Sequence, residues 1–188
     1  SFQMAHTDFL ILGSGIAGLR AAIALGTEGR GTVVSKGQLL EGSSMYAQGG
    51  VAVALNDDDI HLHRDDTLKA GCGLSRTEAV DVLAQEGPHS VEELIHWGAQ
   101  FDTENDGWAF AKEAAHSRNR VMRAGGDATG HEIVRTLFRE ANRCPNITWK
   151  DRLFVTDLIV EDGICRGITV LDESTREIAS MRARAVIL

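Results

Sequence analysis

Several common protein classes are excluded by what this 188-residue chain lacks. Cysteine is scarce: Cys72, Cys144 and Cys165 are odd in number and widely spaced, and no C-x-x-C occurs. That pattern excludes a disulfide or zinc framework and fits reduced thiols in a cytoplasmic protein. Apolar runs are too short to span a bilayer. Positive charge is in deficit, with a net charge of −8, which argues against nucleic acid or an anionic membrane surface as partner. The opening S-F-Q-M-A-H has no basic region followed by an apolar one, so no signal peptide is expected, and Ser1 to Gln3 ahead of Met4 read as a cloning remnant. Proline occurs twice, at Pro88 and Pro145, and no repeat or low-complexity segment is visible. What is present, 43% hydrophobic and 24% charged residues, describes a soluble globular protein with enough chain for one core and one domain.

The most informative stretch runs from Asp8 to Gly18, D-F-L-I-L-G-S-G-I-A-G. Four apolar residues, Phe9 to Leu12, lead directly into Gly13, Gly15 and Gly18, and a helical run, Leu19 to Leu25, follows. This is a strand, a G-x-G-x-x-G turn and a helix. The first glycine permits the tight turn, the second lets the backbone approach a pyrophosphate, and the third lets helix pack on strand. The helix's free N–H groups then face the anion. A second strand is expected at Thr32 to Ser35, after the turn Gly29-Arg30-Gly31, which completes a βαβ unit with parallel strands. Where a nicotinamide or flavin fingerprint usually carries an acid for the ribose, this chain has Ser35-Lys36. Either the fingerprint is degenerate, or Ser35 bonds the ribose and Lys36 lies near a phosphate; a generic NAD site is disfavoured.

Glu41 to Gly50 is polar and rich in small residues, and the apolar Val51 to Leu55 follow. It reads as an ordinary loop or as one whose backbone presses against a flat ligand. Helices are expected over Ile60 to Ala70, closed by Gly71-Cys72-Gly73, then from a Ser75/Glu78 capping box to Gly87-Pro88, then from a Ser90/Glu93 box to Gly98. His61-x-His63 is not helical ligand spacing and has no third ligand, so no metal site is expected. Asp102 to Gly107 reads as a solvated acidic turn. Ala111 to Arg120, with Glu113, His116, Arg118 and Arg120, precedes a second glycine-rich turn at Gly125 to Gly130. This is either a surface loop with ion pairs or an edge arranged for a charged small molecule. Thr129 is expected to cap a helix from Gly130 to Asn142 with Ile133, Val134, Leu137 and Phe138 on its apolar side. A β-meander is expected from Ile147 to Trp149, Phe154 to Val160, Ile164 to Leu171 and Glu177 to Met181. A further strand starts at Arg184 to Leu188, and because the sequence stops within it a fragment of a longer protein is expected.

Taken together, the fingerprint, Ser35-Lys36, E-G-S-S-M-Y-A-Q-G-G-V-A (Glu41 to Ala52), E-A-A-H-S-R (Glu113 to Arg118) and G-D-A-T-G-H-E-I (Gly126 to Ile133) resemble the L-aspartate oxidase family of the succinate dehydrogenase/fumarate reductase flavoproteins. The resemblance implies an α/β fold: a Rossmann-type FAD-binding domain with a parallel sheet plus a β-meander, incomplete here, its capping and C-terminal helical domains absent. It implies noncovalent FAD, because Ser43 stands where membrane-bound relatives attach flavin through a histidine. The implied cofactor residues are Gly13, Ser14, Gly15, Ile16, Ala17 and Gly18 at the pyrophosphate, and Ser35 and Lys36 in place of the acid. Ser43, Ser44, Met45, Tyr46, Ala47, Gln48, Gly49 and Gly50 would lie along the isoalloxazine, and Phe154 and Val155 at the adenine.

The same resemblance assigns Glu113 to orienting the substrate ammonium, with His116 and Ser117 as substrate-side candidates. It implies oxidation of L-aspartate to iminoaspartate, the first step of bacterial NAD synthesis, with fumarate or dioxygen as acceptor and quinolinate synthase as a protein partner. Two departures stand out. Ala114-Ala115 replace the usual Gly-Gly of E-G-G-H-S, and Arg123 replaces a residue often histidine before the G-G-D turn. A soluble fumarate reductase or succinate-oxidising flavoprotein, and a non-catalytic nucleotide-binding module, are the alternative readings. These 188 residues by themselves are expected to hold FAD weakly.

Overall fold

The computed structural model describes residues 7–188; Ser1 to Gln3, read above as a cloning remnant, lie outside them. In chain order the elements are β1 (Phe9–Leu12), α1 (Ile16–Leu25), β2 (Gly31–Val34), β3 (Val51–Ala52), α2 (Asp57–Ala70) and α3 (Thr77–His96). Then come β4 (Thr103–Glu104), β5 (Gly107–Trp108), β6 (Phe110–Ala111), β7 (Val121–Met122) and α4 (Thr129–Ala141). The chain closes with β8 (Ile147–Lys150), β9 (Leu153–Glu161), β10 (Ile164–Asp172), β11 (Ile178–Arg182) and β12 (Ala185–Ile187). Among the described residues two compact units form, one from residues 7–45 and 137–188, the other from 46–136.

The first unit is built on a parallel sheet of order β12-β1-β2-β8. Period-two alternation sends Leu10 and Val34 to one face and Ile11 and Val33 to the other. Leu10 and Val34 pack with Leu153, Ile168, Val170 and Met181 of the three-stranded antiparallel meander β11-β10-β9. Ile11 and Val33 pack with Ala22 of α1, Ala141 at the end of α4, and Ile147. The sheet is therefore covered on both faces, as a parallel sheet requires. Strand order reverses between β1 and β12, so the crevice at the carboxyl end of β1 is a topological switch point, the usual ligand position in such sheets.

Here the expected α/β class, the parallel βαβ unit and the meander are all seen, with one reassignment. Ile147–Lys150 joins β2 in the parallel sheet and is not a meander strand. Its side chains explain why: Ile147 enters the helix-side core, and Trp149 stacks on Phe138, with ring centroids 4.9 Å apart.

In the second unit the two helices expected around Pro88 are one, α3, with Pro88 inside it. Val80, Ala84 and Val91 keep one buried stripe across the proline, and that packing outweighs the lost hydrogen bond. Ser90 is consequently mid-helix, and the N-cap is Arg76 rather than Ser75, so neither capping box forms. Helix α2 starts earlier than Ile60, because the Asn56 side chain accepts from Asp59 N at 2.9 Å. Thr129 is buried and its hydroxyl accepts from Ala124 N at 3.1 Å, upstream of the helix it was expected to cap. The acidic stretch after Asp102 is a hairpin, β4–β5, turning through Asn105 and Asp106 at φ 48° and 63°. Asp102 is not simply solvated: its carboxylate accepts from Gly125 N (2.9 Å) and Gly126 N (3.2 Å). Among the described residues no helix is long and apolar enough to cross a membrane.

Candidate functional site

In the first unit, β1 ends at Gly13, whose φ of +110° favours glycine, and Gly13 N donates to Val34 O at 2.8 Å. A Cβ on Gly18 would sit 1.9 Å from Gly13 O, so only glycine allows α1 to start this close to the strand. Gly15 is the N-cap of α1 and brings no side-chain cap, and the first turn carries no acid. The helix therefore presents first-turn N–H groups that its own N-cap residue leaves free, and its positive dipole end has no competing carboxylate. Ile16 and Ala17 are exposed at that end. Ser44 folds over it, its Oγ accepting from Ile16 N at 3.5 Å, and Met45 N closes a turn on Gly42 O at 3.0 Å. Ser14 donates to Ser35 at 3.2 Å, both buried, while Lys36 and Ser43 are exposed. Hydroxyls, one lysine and an open helix N-terminus on one sheet edge form a donor set suited to a pyrophosphate and a ribose.

Phe154 and Val155 diverge, as neighbours on a strand must. Val155 packs on the meander core, whereas Phe154 lines an open cavity of about 710 Å3 with Gly37, Gln38, Glu41, Arg152 and Arg176.

The second unit holds the rest. Tyr46 is 70% exposed, and Ala47, Gln48 and Gly49 are exposed too, with Ala47 O accepting from Gly130 N at 2.9 Å. Gly50 lies against β7, where a Cβ would come within 2.5 Å of Met122 O. Glu113 is paired with Arg123, NH2 to Oε1 at 2.7 Å. Ala115 sits at φ +70° in the turn that His116 N closes on Glu113 O at 3.2 Å.

His116 and Ser117 come to a cluster that sequence reading missed. Arg120, 1% exposed, grips Asp59 with two nitrogens (Nε–Oδ2 3.2 Å, NH2–Oδ1 2.6 Å) and Asp66 with the third (NH1–Oδ2 2.7 Å). Asp66 Oδ2 also accepts from Ser117 N and Ser117 Oγ, both at 2.7 Å. The Ser117 backbone N–H first, helped by Arg120 and the Ser117 hydroxyl, holds the Asp66 carboxyl far below the usual carboxylate range, against the opposing effect of burial. The hydrogen bonds that Arg120 donates to Asp59 are the main cause holding the guanidinium above its ordinary value. His116 Nδ1 lies 3.2 Å from Arg120 NH1, within reach of that guanidinium donor. His63, 5.9 Å from His116 between ring centroids, is pushed below its ordinary value, by burial first and then by Arg120 and His116. A cavity of about 450 Å3 opens beside this cluster, lined by Asp66, Lys69, Ala115, His116 and Ser117. The available signal was the spacing of Asp59, His63 and Asp66, which sets a polar stripe on one face of α2.

A family model described as FAD binding domain matches residues 8–188. The chain belongs to the FAD-binding domain family. Its L-aspartate oxidase relative in Streptomyces coelicolor is 43% identical over 188 residues, covering 96% of this chain and 32% of that protein. The L-aspartate oxidase of Clostridium acetobutylicum is 39% identical, covering 97% of this chain and 42% of that protein. Among solved structures, a variant of E. coli quinol fumarate reductase superposes with a TM-score of 0.91 at 30% identity, over 98% of this chain and 32% of that one. The chain thus spans 32–42% of the length of these two curated relatives. FAD is the cofactor of this family, and the glycine turn, the α1 N-terminus and the Ser14–Ser35 pair fit its pyrophosphate and ribose.

Proposed function

We propose that the flavoprotein to which these residues belong oxidises L-aspartate to iminoaspartate, opening a route to NAD. The observation that supports this reading is Glu113, an accessible carboxylate on the E-A-A-H-S-R loop whose negative charge suits an α-ammonium. Succinate has no such group, and the L-aspartate oxidase relatives at 39% and 43% identity support the choice over the 30% identical fumarate reductase.

Bound noncovalently, FAD supplies the two-electron acceptor. The α1 N-terminus with Gly13 to Gly18 would carry the pyrophosphate charge; Ser35 and Lys36 would serve the ribose and phosphate end; Ser43 to Gly50 would line the ring system; and the backbone of Phe154 and Val155 would meet the adenine. Glu113 fixes the ammonium and so the carbon that loses the electron pair, while Arg120 and Asp66 hold the loop bearing His116 and Ser117 at its station. Fumarate or dioxygen is the proposed terminal acceptor. The imine is unstable in water, and quinolinate synthase is the proposed partner that consumes it. Cys72, Cys144 and Cys165 are free thiols, which supports a reducing cytoplasmic setting. Residues 1–188 are proposed as the N-terminal portion of the FAD-binding domain, with capping and helical domains elsewhere in the full-length protein.

Anaerobic addition of L-aspartate to the full-length protein is expected to bleach its oxidised-flavin absorbance. Bleaching by succinate with no response to aspartate overturns the assignment in favour of a succinate-oxidising flavoprotein.

A further inference from the structure

Arg123 uses little of its hydrogen-bonding capacity. One terminal nitrogen bonds one oxygen of Glu113 at 2.7 Å, and its Nε–H is buried with no partner among the described residues. The second Glu113 oxygen likewise makes no hydrogen bond among them. A guanidinium carries five N–H donors in a planar fork, a geometry matched to carboxylates.

The base of the side chain is fixed while its head is open. Arg123 O accepts from Asp102 N at 2.8 Å, and Gly50 lies so close that a Cβ there would fall 3.1 Å from Arg123 Cγ. The two side chains are 42% and 41% exposed, so a ligand reaches both without the chain unfolding. An anchored stem with an accessible head is preorganised for binding.

We propose that Arg123 is a specificity-determining residue that binds a substrate carboxylate, and that with Glu113 it forms a zwitterionic receptor for an α-amino carboxylate. This rests on the aspartate reading above, which places Glu113 at the substrate. An α-amino acid holds an ammonium and a carboxylate on one carbon; adjacent Glu− and Arg+ present the opposite pair. The ammonium takes the free Glu113 oxygen, and the carboxylate takes the unused edge of the guanidinium. A dicarboxylate without an amine gains the Arg123 contact but meets Glu113 as a like charge, which disfavours it.

The test is titration of the full-length flavoprotein with L-aspartate and with succinate, the aspartate affinity being taken from the concentration dependence of anaerobic flavin reduction, or from the flavin spectral shift where no reduction follows, alongside steady-state kinetics with aspartate. R123Q is expected to weaken aspartate binding at least tenfold and to raise KM far more than it lowers kcat. R123K should recover part of the loss. E113Q should weaken aspartate while leaving succinate unchanged or tighter. If R123Q lowers thermal stability or flavin content, R123K carries the test and should weaken aspartate several-fold. Unchanged or tighter aspartate binding in R123Q, or in R123K where R123Q fails to fold, overturns the proposal. If the wild-type flavin binds aspartate but is not reduced by it, the oxidase reading fails while the receptor is still tested by the titration. Reduction that proceeds normally with binding insensitive to Arg123 sinks the receptor alone.

Discussion

Arg120 sits between two carboxylates with its side chain fully buried, and their fates are tied together. Arg120→Met leaves Asp59 and Asp66 without their counter-ion. The expected loss is about 3–5 kcal/mol, the usual cost of breaking a buried pair from one side, measured by urea unfolding. His63, 4% exposed and facing Arg120, His116, Asp59 and Asp66, gives the unit a pH response. Its native value is depressed below 6.5, so as pH falls past that point the unfolded chain takes up a proton that the native state resists. Stability is therefore full above that pH and falls below it. Unfolding midpoints taken at about pH 7.5 and about pH 5.5 should differ in the wild type and converge in His63→Phe. Asp66 acts in the same direction in a separate window: its contribution is present above about pH 4 and fades in stronger acid. Ala115 spends conformational energy at φ +70°. Ala115→Gly relieves the strain at some entropic cost, so a net gain of about 0.5 kcal/mol is expected from thermal unfolding.

At the scale of elements, the glycine turn and the proline helix yield opposite lessons. Gly18→Ala places a methyl on Gly13 O, so α1 must shift and its N–H groups turn from the anion. Loss of bound FAD from the full-length protein, with far-UV helicity largely kept, is the expected result. Pro88→Ala restores a helical N–H and removes a ring clash in α3, and stability should rise by up to about 3 kcal/mol. The first unit was largely legible in sequence because its signals are local: an apolar tetrad, three glycines at fixed spacing, and alternating strands. Pro88 and the Ser75 and Ser90 caps misled because tertiary packing of Val80, Ala84 and Val91 decided where α3 begins and ends. Ile147–Lys150 misled because a strand's neighbour is not written in its own residues. The Arg120 cluster was not legible at all as a cluster: its partners stand 61 and 54 residues away along the chain.

Across the whole molecule, the sheet joins residues from both ends of the chain: Phe9 lies beside Ala185, Leu10 beside Val186 and Ile11 beside Ile187. β1 thus waits for a partner strand that lies far along the sequence. β1 can settle early against β2 and α1, which are near in sequence, but closing its other edge requires the longest loop in the fold and is slow for entropic reasons. Until then one side of β1 offers unpaired backbone groups, the condition under which strands join wrong partners. Pulse-labelled hydrogen exchange during refolding should find the β1–β2 amides protected before those shared with β12. The switch-point crevice beside the glycine turn lies between those same two strands, so cofactor affinity should appear on the slow phase, and FAD added early should not trap a half-built sheet.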